Sequence, residues 1–275
     1  MRAKSLFFFV FLICLIDFSQ AQDVPEGYSY RRNPRPERRQ RQKEEIASTP
    51  RGYIAVNSGF GAPVGNFAVN FGTSYGNYAL PGQIQSLTAF VPVNHTNVGV
   101  AVMIGVHDNA YDVNSFVNNI QLTEANANKI YLADGSSDYQ ETSILAGVFY
   151  TIPVKRFSFD FRLMGGLLVC RLPEVQYEAY IPQTATAAEQ DFLWNSQPSS
   201  SQAFAIDLSA GVRYSLRRRL CLMGNIDFMH ANVHYASYQQ YVDPNGNLII
   251  SPMTGNTPIS LVNISVGLGF EFGRE

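Results

Sequence analysis

Four charged side chains and a pair of histidines carry most of the chemistry open to this chain. Asp160, Arg162, Arg213 and Glu271 each sit on the polar side of a stretch that alternates apolar and polar residues, and a two-residue period puts every member of one set on the same face of a strand. Two positive and two negative groups on such faces suit a buried ion network better than a reaction centre. His230 and His234 share a face as well, but at about 3.3 Å per residue they stand roughly 13 Å apart, too far to ligate one metal. His95 and His107 have no carboxylate partner that strand spacing would supply, and Cys170 and Cys221 are not spaced as a metal site. No catalytic residue, metal ligand or cofactor motif emerges.

The elements that must position these groups are eight amphipathic segments, at approximately 51 to 60, 83 to 92, 98 to 109, 142 to 153, 157 to 170, 202 to 215, 220 to 234 and 259 to 273. Most are about as long as a tilted strand needs to cross a bilayer. In the third, Val98, Val100, Val102, Ile104 and Val106 oppose Gly99, Ala101, Met103, Gly105 and His107. In the last, Val262, Ile264, Val266, Leu268, Phe270 and Phe272 oppose Asn263, Ser265, Gly267, Gly269, Glu271 and Gly273. Connections after segments two, four and six are tight, whereas those after one, three, five and seven run from about twenty to more than thirty residues. This segregation predicts an all-β fold: an eight-stranded antiparallel transmembrane up-and-down β-barrel with short periplasmic turns and long extracellular loops. An interior that narrow is filled by side chains. Asp160, Arg162, Arg213 and Glu271 all fall within about five residues of the turn end, so they are expected to pair with one another and occlude the barrel, because isolated buried charges are costly. Asp207 and Asp227 lie higher, with no evident strand partner.

Residues 1–21 read as a secretory signal, with Arg2 and Lys4 before an apolar run from Leu6 to Ile16 and Ser19-Gln20-Ala21 at the cleavage position. Residues 22–50 form a basic, charged and Pro-containing tail, RRNPRPERRQRQKEE at its centre, which has almost nothing to bury and is expected to be disordered in the periplasm. A solvated linker is its plainer reading and an anionic periplasmic partner the alternative; nucleic acid would not meet it there. Residues 52–275 carry 10 basic against 16 acidic side chains, a net of −6. Arg217-Arg218-Arg219 and Lys155-Arg156 fall in the short turns, where either solvated turns or contact with inner-leaflet phosphates would account for them.

The opening Gly52-Tyr53-Ile54-Ala55, the glycines from Gly59 to Gly65 and the closing GLGFEF make residues 51–275 resemble the small eight-stranded outer-membrane barrels of the OmpA and OmpX type, and more closely the outer-membrane β-barrel domain proteins of Bacteroidota. The resemblance implies residence in the outer membrane of a Gram-negative bacterium, contact with its lipids, and assembly by insertion machinery that reads the aromatic-ended last strand, here Phe270 and Phe272. It implies no shared chemistry. Lipid A deacylases share this architecture and are similar at Phe228-Met229-His230-Ala231-Asn232, but Ala231 stands where a serine nucleophile is needed. The expected function is therefore non-enzymatic, in envelope structure or surface interaction, through loops dotted with Tyr75, Tyr78, Tyr111, Phe116, Tyr177, Trp194, Tyr235, Tyr238 and Tyr241. A narrow channel or transporter component and a lipid-modifying enzyme are the alternatives.

Overall fold

A computed structural model describes residues 51–68, 78–93, 96–123, 130–181, 190–196, 198–216, 219–242 and 247–272. The expected signal and basic tail lie outside these residues. Eleven strands and one α-helix follow in order: β1 (Gly52–Pro63), β2 (Gly82–Pro92), β3 (Val98–Asn109), α1 (Val113–Thr123), β4 (Ile130–Ser136), β5 (Tyr139–Val154), β6 (Phe157–Arg171), β7 (Val175–Ile181), β8 (Gln190–Ser196), β9 (Ser200–Ser215), β10 (Leu220–Val242) and β11 (Leu248–Phe272).

Eight of the strands close on themselves. The order β11-β1-β2-β3-β5-β6-β9-β10 is antiparallel at every step, and β10 pairs back onto β11 from Leu220↔Phe270 to Val242↔Leu248, so the ring leaves no edge at the level of the bilayer. This is the eight-stranded antiparallel barrel that the periodicity predicts. Alternation sorts the two faces: Val98, Val100, Val102, Ile104 and Val106 point out, as do Phe157, Phe159, Phe161 and Leu163, while Phe204 and Val266 are each 69% exposed. So much outward apolar area is an aggregation hazard in water and a solvent match in lipid. No helix among the described residues is long and apolar enough to cross a membrane.

The loop side differs from the expected plain loops. β10 and β11 do not stop at 234 and 259; they run 23 and 25 residues and stand beyond the ring as a long hairpin. Backbone pairing continues where lipid-facing alternation ends, because a ladder needs only hydrogen bonds, and its outer part is unmarked by the apolar signal that defined the segments. The end of β10 pairs with β8 at Gln239↔Ser196 to Tyr241↔Trp194, and β8, β7 and β4 extend the sheet outward. Helix α1 packs beside β4, its first turn capped where the Asp112 carboxylate accepts the Ser115 N–H at 3.0 Å.

Candidate functional site: a filled barrel beneath an aromatic cap

At the turn end the interior begins with an aromatic layer. Phe90 and Phe149 stack with centroids 3.6 Å apart, and Tyr53 meets them at 5.7 and 5.8 Å. Gly99 makes this possible, since a β-carbon there would fall against the Phe90 ring and the Val91 carbonyl. The Arg213 guanidinium lies over the Tyr53 ring, 4.6 Å from its centroid.

Arg213 also joins two carboxylates. Its Nε is 3.6 Å from Asp160 Oδ2 and its Nη1 is 3.6 Å from Glu271 Oε1. Thr151 donates to Asp160 at 2.6 Å, Ser215 donates to Glu271 at 2.9 Å, and Arg51 approaches Glu271 at 3.9 Å from the rim. All three members of this cluster are buried, where each charge depends on the others for compensation.

The fourth charge expected in that cluster, Arg162, faces elsewhere. It donates to Asp227 at 2.9 Å and to Asn225 at 3.1 Å, which corrects the expectation that Asp227 lacks a strand partner. Across the register Arg162 lies opposite Ser209, and Ser209 opposite Asp227. The small serine lets the long arginine reach over one strand to the next. Asn225 then donates to Asn57 at 3.2 Å, and Asn57 to Ser86 at 3.2 Å and Thr88 at 3.4 Å. Asp207 takes the Ser209 hydroxyl as donor. Polar groups from every ring strand except β3 thus cross the middle and lower interior.

Higher up, His107 Nε2 lies 3.3 Å from Asn263 Nδ2, so that β3 and β11 touch across the lumen. Glu141, opposite His107 in the β3–β5 register, is fully buried. Periodicity missed it because the fourth segment was begun one residue later; its phase, inward with Ser143 and Leu145, was the available signal. Above lies an aromatic cap. Phe67 meets Tyr139 at 5.0 Å, Tyr139 meets Tyr111 at 6.1 Å, Tyr111 meets Tyr78 at 5.9 Å, Tyr78 meets Phe116 at 5.4 Å, and Phe116 meets Tyr177 at 5.8 Å. Burial pushes the pKa of the Tyr78 hydroxyl up, against a hydrogen bond with Asn119 that pulls it down. Tyr78, Tyr111, Phe116, Tyr177 and Tyr235 are therefore core residues of the cap, and Tyr238 is exposed. That overturns the assignment of those five to a recognition surface, though not that of Tyr238: long loops bury their own aromatics when they fold on one another. Tyr75 lies outside the described residues, and the Trp194 and Tyr241 side chains outside the described side chains.

His230 and His234 point outward where the apolar belt ends, and each contacts a neighbour on β11: Ser260 Oγ at 2.9 Å and Asn256 Oδ1 at 2.8 Å. A serine therefore does stand beside His230, supplied by the adjacent strand rather than by position 231. Among the described residues no carboxylate pairs with that histidine to orient it as a base. Cys170 and Cys221 are buried and free, and no group of three His, Cys, Asp or Glu among the described residues could hold a metal. Phe270 is exposed on the lipid face near the end of β11, and Phe272 is half-buried.

Closed antiparallel ring, apolar exterior and polar, side-chain-filled interior together define a small eight-stranded barrel of the outer-membrane type. No protein-family model matches the chain, and no curated protein does. It is similar to solved outer-membrane barrels. A major outer-membrane protein from Thermus thermophilus shares 14% identity at a TM-score of 0.42, over 80% of this chain and 99% of that one. Neisserial surface protein A shares 12% at 0.39, over 80% and 97%, and OprG from Pseudomonas aeruginosa 13% at 0.36, over 83% and 99%. The narrower resemblance to Bacteroidota barrel-domain proteins rests on the sequence alone.

Proposed function

We propose that this protein is a non-enzymatic structural and surface component of a Gram-negative outer membrane, whose barrel conducts nothing and whose folded cap faces outward. One observation carries the reading: the lumen is crossed by paired charges around Arg213 and Arg162 and roofed by buried aromatics from Phe67 to Tyr177. A filled lumen favours an anchor over a pore, and a cap with its own core favours a rigid presented surface over mobile loops. Outer-membrane lipids then surround the belt, the insertion machinery reads Phe270 and Phe272, and the basic tail hangs on the periplasmic side. Purified protein in planar bilayers should show no steady conductance. Stable single-channel steps from the unmutated chain would put the channel reading first.

A further inference from the structure

Among the described residues, exposed charge is divided between the two ends of the barrel. Lys155, Arg156 and Arg219 are exposed at the turn end, with Arg51 one-third exposed beside them. Among the described residues no exposed carboxylate accompanies them there, since Asp160 and Glu271 are buried in the lumen. At the opposite end Asp134, Asp138 and Glu178 are exposed, with Arg171 as the cation among them. The basic residues come from three separate points on the ring: the start of β1, the β5–β6 turn and the β9–β10 turn. They form a collar at that end.

Two further observations give the collar a purpose. Lys155 has φ of 58°, the one positive φ among described residues other than glycine. In a two-residue hairpin turn that position favours glycine, and a lysine there keeps backbone strain that glycine would relieve. Directly beside the turn sits an outward aromatic girdle, where Phe157 packs on Tyr214 at 4.9 Å and Tyr150 is exposed. Such rings mark the headgroup boundary of a spanning barrel. The turns are tied down, with the Ser215 N–H donating to the Arg156 carbonyl at 2.8 Å and the Glu271 N–H to the Arg219 carbonyl at 2.6 Å. The turns that carry the cations are thus held one step beyond the apolar belt.

We propose that this collar binds the phosphate groups of anionic phospholipids in the leaflet on the turn side, which sets the depth of the barrel. The inference rests on the transmembrane reading above. Charge complementarity and continuity with the lipid belt select the occupant, and strain kept at Lys155 marks the charge as worth more than the relaxed turn.

The test uses the full mature chain with Cys170→Ala and Cys221→Ala, folded into phosphatidylcholine bilayers. A fluorophore is placed at Asn97→Cys on the turn side or at Asn232→Cys on the other, and spin-labelled phosphatidylglycerol or phosphatidylcholine is the quencher. The Asn97 probe should be quenched several-fold more by phosphatidylglycerol, and the Asn232 probe equally by both lipids. Lys155→Gly, Arg156→Asn and Arg219→Asn together should erase the preference, as should salt near 1 M, where the screening length falls to about 3 Å. Lys155→Gly alone should weaken the preference while leaving the fold as stable or more so, a split that a purely structural turn residue would not produce. Equal quenching at Asn97, survival of the preference in the triple variant, or its loss only when residues 22–50 are deleted would each overturn the collar. Failure to insert into phosphatidylcholine at all is seen separately, as the absence of heat-modifiable protein, and overturns the transmembrane reading with it.

Discussion

Arg213 shows why the interior charges behave as a set. One guanidinium offers donors in a fixed planar fork, and here it serves Asp160 and Glu271 while its face rests on Tyr53. Arg213→Ala strands two buried carboxylates, a loss of about 3 to 5 kcal/mol if the site stays dry. Adding Glu271→Ala should recover only part of it, because Asp160 remains. Arg162→Ala combined with Asp227→Ala should recover more, since that pair is closer to self-contained. Urea midpoints of the refolded protein in micelles would rank the two arginine single variants and the two doubles; an equal recovery in both doubles would refute the division into two clusters. The inward facing of Asp160, Arg162, Arg213 and Glu271 was legible from alternation. Their partners were not, because who meets whom depends on the stagger of neighbouring strands, and a spacer as small as Ser209 redirects Arg162 to Asp227.

Among the elements, the hairpin of β10 and β11 raises a problem that the ring below it has solved. Beyond Leu261 no described strand pairs with β11 on its β1 side, which leaves a potential template for another chain. Ser260 directs its carbonyl to that side, toward the Val64 N–H, and in an extended strand every second residue faces the same way. Pro252 and Pro258 share this phase, so the edge lacks two donors where an intruding strand would need them. Restoring them with Pro252→Thr and Pro258→Thr should leave monomer stability nearly unchanged and promote edge-paired oligomers, visible by cross-linking in micelles; purely monomeric double variant would sink the idea. At the other end of the strand, Phe270→Asp with Phe272→Asp should cost about 0 to 4 kcal/mol per site, depending on depth. Assembly in cells should suffer more than stability in vitro, as read from outer-membrane levels against heat-modifiable gel mobility. Normal levels would argue that the last strand carries no insertion signal.

For the whole molecule, the even strand number puts the start of β1 and the end of β11 on the turn side, with the cap on the other. In a cysteine-free background, Ser136→Cys in the cap should react with an impermeant maleimide on intact cells, and Asn97→Cys in the β2–β3 turn should not. The reverse pattern would invert the topology. The cap also bears on what the surface can offer: with Tyr78, Tyr111, Phe116, Tyr177 and Tyr235 committed to its core, the exposed outer face presents Asp134, Asp138 and Glu178 alongside the aliphatic Ile130, Leu132, Leu248 and Ile250, with Tyr238 outward on the hairpin.

Taken by itself, the chain determined what a two-residue period and turn spacing can express: eight ring strands, which face of most of them meets lipid, which ends are tight, and that charges at 160, 162, 213 and 271 turn inward. These are local properties, set by the alternation of side chains along an extended backbone. Tertiary structure decided the rest: the pairing of Arg162 with Asp227, the serine brought beside His230, the continuation of β10 and β11 past the belt, and the burial of five loop aromatics. Each depends on register or packing between segments far apart in sequence. In the cap, apolar and polar residues follow no single lipid-facing period, so only contacts among α1, β4, β7 and the loop before β2 could show which rings form a core.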